Sequence, residues 1–584
     1  MPAIITPKFR FHNAEQFKES FSEAAPSNYY LFIGRPGEFA TGNWGGTDSA
    51  PPTPIGNRSQ EAYLWDDMLA AKKIQSTGVS HAIPRRDLDT SGNTKYDMYR
   101  PDYSSSKLTS TGASNLFDST FYFMTSAYRV YKVLDNNGGQ NIAAGANPTH
   151  TDDSIPTVGG YALKYMYTLS STDIQNFLTP DFIPVPTAPE SNVALVDGGL
   201  YTILQTNSAT AANSSLTTAD QTVYNIPIRG DGVNAMCSIV IGASNGSNPG
   251  KITSITISNK GSGYTHASLN VADIQEQFAI QQNPRSLTFT GDDPTFEVII
   301  GPDGGHGSNP AKELGGNFII MDTKLQTTES FDFSVVNDFR QVGIVRDPLA
   351  FSGGSFSGST ARQTYAIKLN TGAGAFTVDQ RIEQQTAAVS ISAVTRDSDT
   401  GSVIKFTATN HNLVTGSMVD ITTGGGSFGG SNNQDAFQGS HFVTRIDANT
   451  FSITVSSNRA PDNAATFSGN MPTYTVYKPE GIVVEYDASN LIVFYVQTSF
   501  DSQGTNSTHK NNLPFGGSGT ITNGSQTATP NTSYSSTLNN TVFVNGYANP
   551  EMKPDSGDVI YVENRKPISR ASDQTEDIKL IVEF

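Results

Sequence analysis

The chain has 584 residues, too many for one ordinary hydrophobic core, so two to four domains are expected. Its 53 Gly and 30 Pro, with charged residues at only 16%, describe many turns and short strands under a polar, uncharged surface. A formal net charge of -17 disfavours duplex DNA and acidic membranes as direct partners, and the single cysteine, Cys237, leaves no intrachain disulfide to form.

Cys237 reads as a small buried hydrophobe. The opening Met1-Pro2-Ala3-Ile4-Ile5-Thr6-Pro7-Lys8 lacks a basic segment followed by an apolar one, so no signal peptide is predicted. No apolar run approaches ~20 residues, so no membrane span is predicted either. Synthesis in a cytosol is the expectation.

In chain order, residues 13–24 are predicted as a helix capped by Asn13, with Phe17 and Phe21 on one face. Tyr29 to Ile33 reads as a strand. A second helix is predicted from Ser59 to about Ile74. Strands follow around Phe121–Leu134 and Gly160–Leu169, and Pro180 to Pro189 reads as an extended connection. Residues 203–220, rich in Ser, Thr, Ala and Asn, read as a linker, and Gln221 to Val271 as several short strands. Within that stretch Gly261-Ser262-Gly263-Tyr264-Thr265 suits a tight turn with Tyr264 packed beneath it, in preference to a phosphate loop.

Gly304 to Pro310 is a glycine-dense loop, followed by a helical turn at Ala311–Leu314. His306 has no second histidine or carboxylate motif at ligand spacing, so a structural turn is favoured over a metal or a base. Residues 402–455 carry Asn410-His411-Asn412-Leu413, Gly416, Val419-Asp420-Ile421 and Phe437-Gln438-Gly439, a pattern that resembles a small β-barrel module of phage tail proteins. A hairpin is predicted over Gly481–Val496, turning at Asp487-Ala488-Ser489-Asn490, and residues 500–540 read as loop with edge strands. In Ile578 to Phe584, Ile578, Leu580, Val582 and Phe584 alternate onto a core face, with Lys579 and Glu583 outward.

No catalytic constellation stands out. There is no Gly-x-Ser-x-Gly elbow, His-Glu-x-x-His, Walker-type loop or Cys-x-x-Cys. The pairs Asp66-Asp67, Asp152-Asp153 and Asp292-Asp293 are adjacent, and adjacent residues on a strand face opposite sides. No catalytic, cofactor-binding or metal-binding residue is assigned. The polar residues that do stand out are Arg85, Arg86 and Asp87; Phe339, Arg340 and Gln341; Glu563, Asn564 and Arg565; and Asp573 with Gln574. Arginine forks hold carboxylates or carbonyls at fixed geometry, so these read as a structural or interface signature.

Those same segments carry a family resemblance. Ile83-Pro84-Arg85-Arg86-Asp87, Asp338-Phe339-Arg340-Gln341-Val342, Asp347-Pro348-Leu349 and the run Ile560-Tyr561-Val562-Glu563-Asn564-Arg565, with Pro567-Ile568 and Asp573-Gln574-Thr575-Glu576, stand in that order. Together they resemble the baseplate wedge subunits of T-even-type contractile-tailed phages, the gene product eight family.

The resemblance implies a mainly β fold: a layered β-sandwich core with a few short helices, to which this chain adds small β-barrel or β-sandwich modules. The core is expected at 1–200, 291–350 and 545–584, with inserts at 201–290 and 351–544 and a nested barrel at about 386–470. It also implies a virion protein of the tail baseplate, without enzymatic activity or cofactor. The implied partners are a second copy and other wedge proteins, with host-surface contact open to the inserts. A receptor-binding adhesin or short tail fibre is the alternative, and a tailspike-like glycan hydrolase a more distant one.

Overall fold

The computed structural model describes residues 5–40, 44–101, 113, 115–191, 194–326, 329, 332–372, 374–384, 387–396, 402–422, 424–428, 437–456, 467–476, 479–498, 514–571 and 573–584. The chain is mainly β, built of antiparallel sheets with few short helices. It divides into two compact units, each discontinuous in sequence. The first comprises Met1–Ala24, Gln75–Asp322 and Lys579–Phe584; the second comprises Ala25–Ile74 and Thr323–Ile578.

In the first unit, helix α1 runs Pro7–Glu19, six residues earlier than predicted. Thr6, not Asn13, caps it, accepting from the Phe9 N–H, and Pro7 opens the first turn with its φ preset. Its Phe11 stacks on His81 at 5.2 Å. An antiparallel sheet of Tyr122–Met124, Arg129–Asp135, Tyr161–Thr168 and Thr157–Val158 builds an aromatic core, including Tyr122, Phe123, Tyr131, Tyr161 and Tyr167. The stretch expected to be a bare Pro-rich connection contains the strand Phe182–Val185, which pairs with Val79–Pro84.

The presumed linker is also structured. Leu200–Asn207 is a strand paired with Thr295–Ile300. Gln221–Pro227, Met236–Ile241 and Ile252–Asn259 form a three-stranded sheet, and Cys237 is fully buried in its core. The run predicted as strands up to Val271 gives way there to a helix, Val271–Gln281. Ile274 and Phe278, one turn apart, are both 0% exposed, and each contributes about 1.5–3 kcal/mol by burial. Tyr264 is buried beneath its glycine turn and reaches the carbonyl of Ile228. The short helix Pro310–Leu314 ends on Gly315, whose φ of 82° is the left-handed conformation that glycine adopts without strain.

At the chain's end, Leu580 is buried as predicted, and Ile581 packs against the cluster of Ala82, Phe177 and Ile320. Lys579 does not point freely into solvent. Its Nζ lies 3.5 Å from Asp322, and its side chain is 17% exposed. The terminal strand is thus partly covered on both faces, with Thr575, Asp577 and Glu583 exposed.

In the second unit, the strands Thr360–Arg362, Met68–Lys73, Tyr29–Gly34, Phe339–Arg346 and Asp558–Ile568 make one antiparallel sheet in that order. Every residue of Tyr29–Gly34 is buried, which accounts for its unbroken apolar run. At Gly343 a Cβ would come within 2.4 Å of the Phe32 ring, so only glycine fits beneath that ring. The second predicted helix stops early: it spans Arg58–Asp67, and Met68–Lys73 is drawn into a strand by pairing with Tyr30–Gly34. Tertiary pairing overrides local helix propensity there.

This unit also contains two seven-stranded sheets. One includes the predicted hairpin, observed as Glu480–Asp487 and Ile492–Gln497 with Asp487 accepting turn N–H groups. The other lies between Val389 and Val476 and has its own core, with Phe406, Phe437, Phe451 and Tyr474 among its buried residues. Part of the region predicted as polar loop, 499–513, lies outside the described residues; beyond it are short strands such as Ile521–Thr522 and Thr527–Ala528.

Candidate functional site

The signature residues fall in and beside strands: Arg85–Asp87 just after one, Phe339–Gln341 at the start of another, and Glu563–Arg565 in the middle of a third. In the first unit, Arg85 follows the strand Val79–Pro84. Its Nε donates to both Asp87 oxygens at 3.1 and 3.0 Å, and a terminal nitrogen donates to the Thr179 carbonyl. Asp87 is largely exposed, so this ion pair is worth little by itself. Arg86 turns inward. It donates to the carbonyls of Ser119 and Phe117, and its guanidinium lies 4.6 Å from the centroid of the Tyr122 ring. Burial pushes the Tyr122 phenol up, and its hydroxyl donates to the Pro84 carbonyl. Arg86 therefore holds a loop onto the sheet by carbonyl capture and cation–π contact.

In the second unit, Phe339 is buried at the start of its strand. Arg340, 7% exposed, donates through Nε to Asp48 at 2.9 Å and through a terminal nitrogen to the Pro36 carbonyl. Gln341 is fully buried and faces Asn564 across the sheet. Its amide nitrogen donates to the Asn564 side-chain oxygen at 2.8 Å, and Asn564 in turn donates to the Pro52 carbonyl at 2.8 Å. Glu563 accepts from the Tyr561 hydroxyl, with Arg565 Nε 3.7 Å away. Asp573 and Gln574 are exposed, and Gln574 closes a small turn on Ala571.

The structure thus joins the Phe339–Gln341 group to the Glu563–Asn564 group, and keeps Arg85–Asp87 within the other unit. Sequence reasoning missed Arg570. Its terminal nitrogens donate to the Ser334 carbonyl and to Glu576, both at 2.7 Å, in a fully buried pair. The Pro567-Ile568-Ser569-Arg570 context was legible; its distant acceptor was not.

A second buried cluster, in the first unit, also escaped notice. Lys132 Nζ lies 2.8 Å from Glu313 and 3.8 Å from the centroid of the Tyr99 ring, with both charged side chains out of solvent. The other Glu313 oxygen accepts the Gly307 N–H at 2.7 Å. His306 sits 3.8 Å from Glu313 between the rings of Tyr99 and Tyr201. Burial, then the Lys132 charge, hold the His306 imidazole down to about 3, so it is neutral. Burial pushes the Glu313 carboxyl up, but Lys132 and His306 prevail and bring it to about 2. Chemically this is a locked ion pair.

The adjacent acids behave separately. Asp67 accepts from Arg35 and from the Trp44 indole, and Asp152 accepts from Ser154. Burial raises the Cys237 thiol to about 12, far from nucleophilic at neutral pH. No helix among the described residues is long and apolar enough to cross a membrane. No protein-family model matches the chain, and no curated protein matches it at a significant level.

Proposed function

We propose that this chain is a structural subunit of a contractile phage tail, a baseplate wedge protein. In this reading it helps assemble the baseplate and carries its conformational change during infection. It associates with a second copy and with other wedge proteins, and it performs no chemistry of its own. The reading rests on the sequence segments that resemble the wedge family. One structural observation supports it: the residues of those segments serve as ties between distant parts of the chain. Arg86 reaches carbonyls 31 and 33 residues away, Arg340 reaches Asp48, and Gln341 reaches Asn564. Side chains so engaged hold a rigid scaffold, which a mechanical subunit requires. The inserts at 201–290 and 351–544 are the parts open to contacts peculiar to this chain.

A density map of the virion tests the proposal. The subunit should occupy six-fold-related positions around the hub at the tail tip. Density only at the distal ends of fibres would replace this reading with an adhesin. Degradation of host polysaccharide by the purified chain would replace it with a hydrolase.

A further inference from the structure

The second unit contains a partly open cavity of about 20 Å³, room for one water-sized body. The polar residues on its wall are Asp332, Ser334, Asn337, Arg362, Thr364 and Glu485. Asp332 is only 7% exposed, and its Oδ2 has no hydrogen-bond partner. An unpartnered buried carboxylate oxygen is costly and is relieved either by an occupant or by a proton. Asn337 donates its amide to the Val484 carbonyl, which leaves its amide oxygen as an acceptor.

The charges do not balance. Two carboxylates, Asp332 and Glu485, share the wall with one guanidinium, that of Arg362. Both terminal nitrogens of Arg362 are engaged by the carbonyls of Thr364 and Asn549. Beyond the wall, Glu551 accepts the Arg362 backbone N–H at 2.8 Å, and Glu329 is paired with Lys72 at 2.6 Å. Burial raises the Asp332 carboxyl to about 7, against a hydrogen bond with Thr360 and the Arg362 charge, and burial lifts Glu485 as well, against a hydrogen bond with Ser334.

We infer that this cavity binds one small hard cation through the carboxylates of Asp332 and Glu485 and the amide oxygen of Asn337. No histidine or cysteine stands on the wall, so the donor set is oxygen, which suits Na⁺ or Ca²⁺ and not a thiophilic metal. Among the described residues no three His, Cys, Asp or Glu side chains converge. The expected affinity is therefore modest, with a dissociation constant on the order of 10⁻⁴–10⁻³ M for Ca²⁺.

Thermal unfolding of the full chain at constant ionic strength tests this, with choline chloride exchanged for NaCl or for about 10 mM CaCl₂. The unfolding midpoint should rise by about 2–5 °C with the bound ion. The rise should vanish in Asp332→Asn and in Glu485→Gln. A shift in sodium alone identifies a monovalent occupant, and one in calcium alone a divalent occupant. Equilibrium dialysis with radioactive sodium or calcium should count one ion per chain in the parent and none in Asp332→Asn. If that variant does not fold, Glu485→Gln decides. No shift with either salt, or an equal shift in parent and variants, would overturn the inference and leave the cavity to water.

Discussion

Gln341 and Asn564 are partners across an antiparallel sheet and bond to each other through their side-chain amides at 2.8 Å. One comes from the middle of the chain and the other from near its end, and Asn564 passes the connection on to Pro52. Replacing Asn564 by Ala leaves the buried Gln341 amide without its acceptor. A loss of about 1–3 kcal/mol in unfolding free energy is expected by denaturant titration. A double-mutant cycle with Gln341→Leu should show coupling, because the second substitution removes the orphaned group. Strict additivity would show that the two side chains act independently.

The Lys132–Glu313 pair should be the most sensitive polar contact of the first unit. Lys132→Met strands a buried carboxylate and should cost about 3–5 kcal/mol. Changing both partners to apolar residues should restore much of that loss. Calorimetry of the single and double variants distinguishes a charge effect from a packing effect.

Lys579 and Leu580 give a graded test of the terminal strand. Leu580→Asp places a charge in a buried position and should prevent folding of the first unit. Lys579→Ala removes the ion partner of Asp322, whose side chain is only 7% exposed. A loss of about 1–2 kcal/mol is expected, read from the shift in urea midpoint. A silent Lys579→Ala would mean that Asp322 is held by its other contacts.

Acid should destabilise the first unit through two neutral histidines. Burial lowers His81 to about 4, against a raising bond with the Gly316 carbonyl, and His306 to about 3. Both folded values lie below the unfolded value, so the unfolded state takes up protons first as pH falls. The stabilisation is complete above about pH 6.5 and is lost progressively as pH drops toward 4 and 3. His81 alone accounts for a loss on the order of 3 kcal/mol across that window. Melting temperatures between pH 7 and pH 4 should fall in the parent and fall less steeply in His81→Gln.

The module between Val389 and Val476 should be removable. Its flanking strands bring Glu383 and Glu480 together as register partners, and Gln384 N–H donates to the Pro479 carbonyl at 3.0 Å. A short Gly/Ser bridge can span that gap at small entropic cost. The shortened chain should keep the cooperative unfolding of the five-stranded sheet, followed by hydrogen exchange at Leu31 and Ile344. Rapid exchange at those amides would mean that the module supports the sheet.

What the sequence made legible is what depends on near neighbours. Tyr29 to Ile33 is an unbroken apolar run, and Asp487 to Asn490 is turn chemistry, and both appear where they were expected. The Met68–Lys73 strand was hidden because its helix-like composition yields to pairing with a strand some forty residues earlier. Helix α1 began early because Thr6-Pro7 is a stronger start than Asn13. The Lys132–Glu313 pair joins residues 181 apart, and no local spacing announces it. Arg85, Arg86 and Arg340 were identifiable as residue types, but their acceptors are mostly backbone carbonyls, which leave no mark in sequence.

The order of strands in the five-stranded sheet has a consequence for synthesis. Phe339–Arg346 lies between Tyr29–Gly34 and Asp558–Ile568, so its outer edge stays open until the last of these emerges from the ribosome. At 5–20 residues per second, the interval from residue 346 to residue 558 lasts about ten to forty seconds. During that time a nascent chain carries an eight-residue strand with unpaired amides along one edge, a template for pairing with neighbouring chains on the same message. Slowing translation over the intervening stretch should therefore lower the yield of soluble protein, and speeding it should raise that yield.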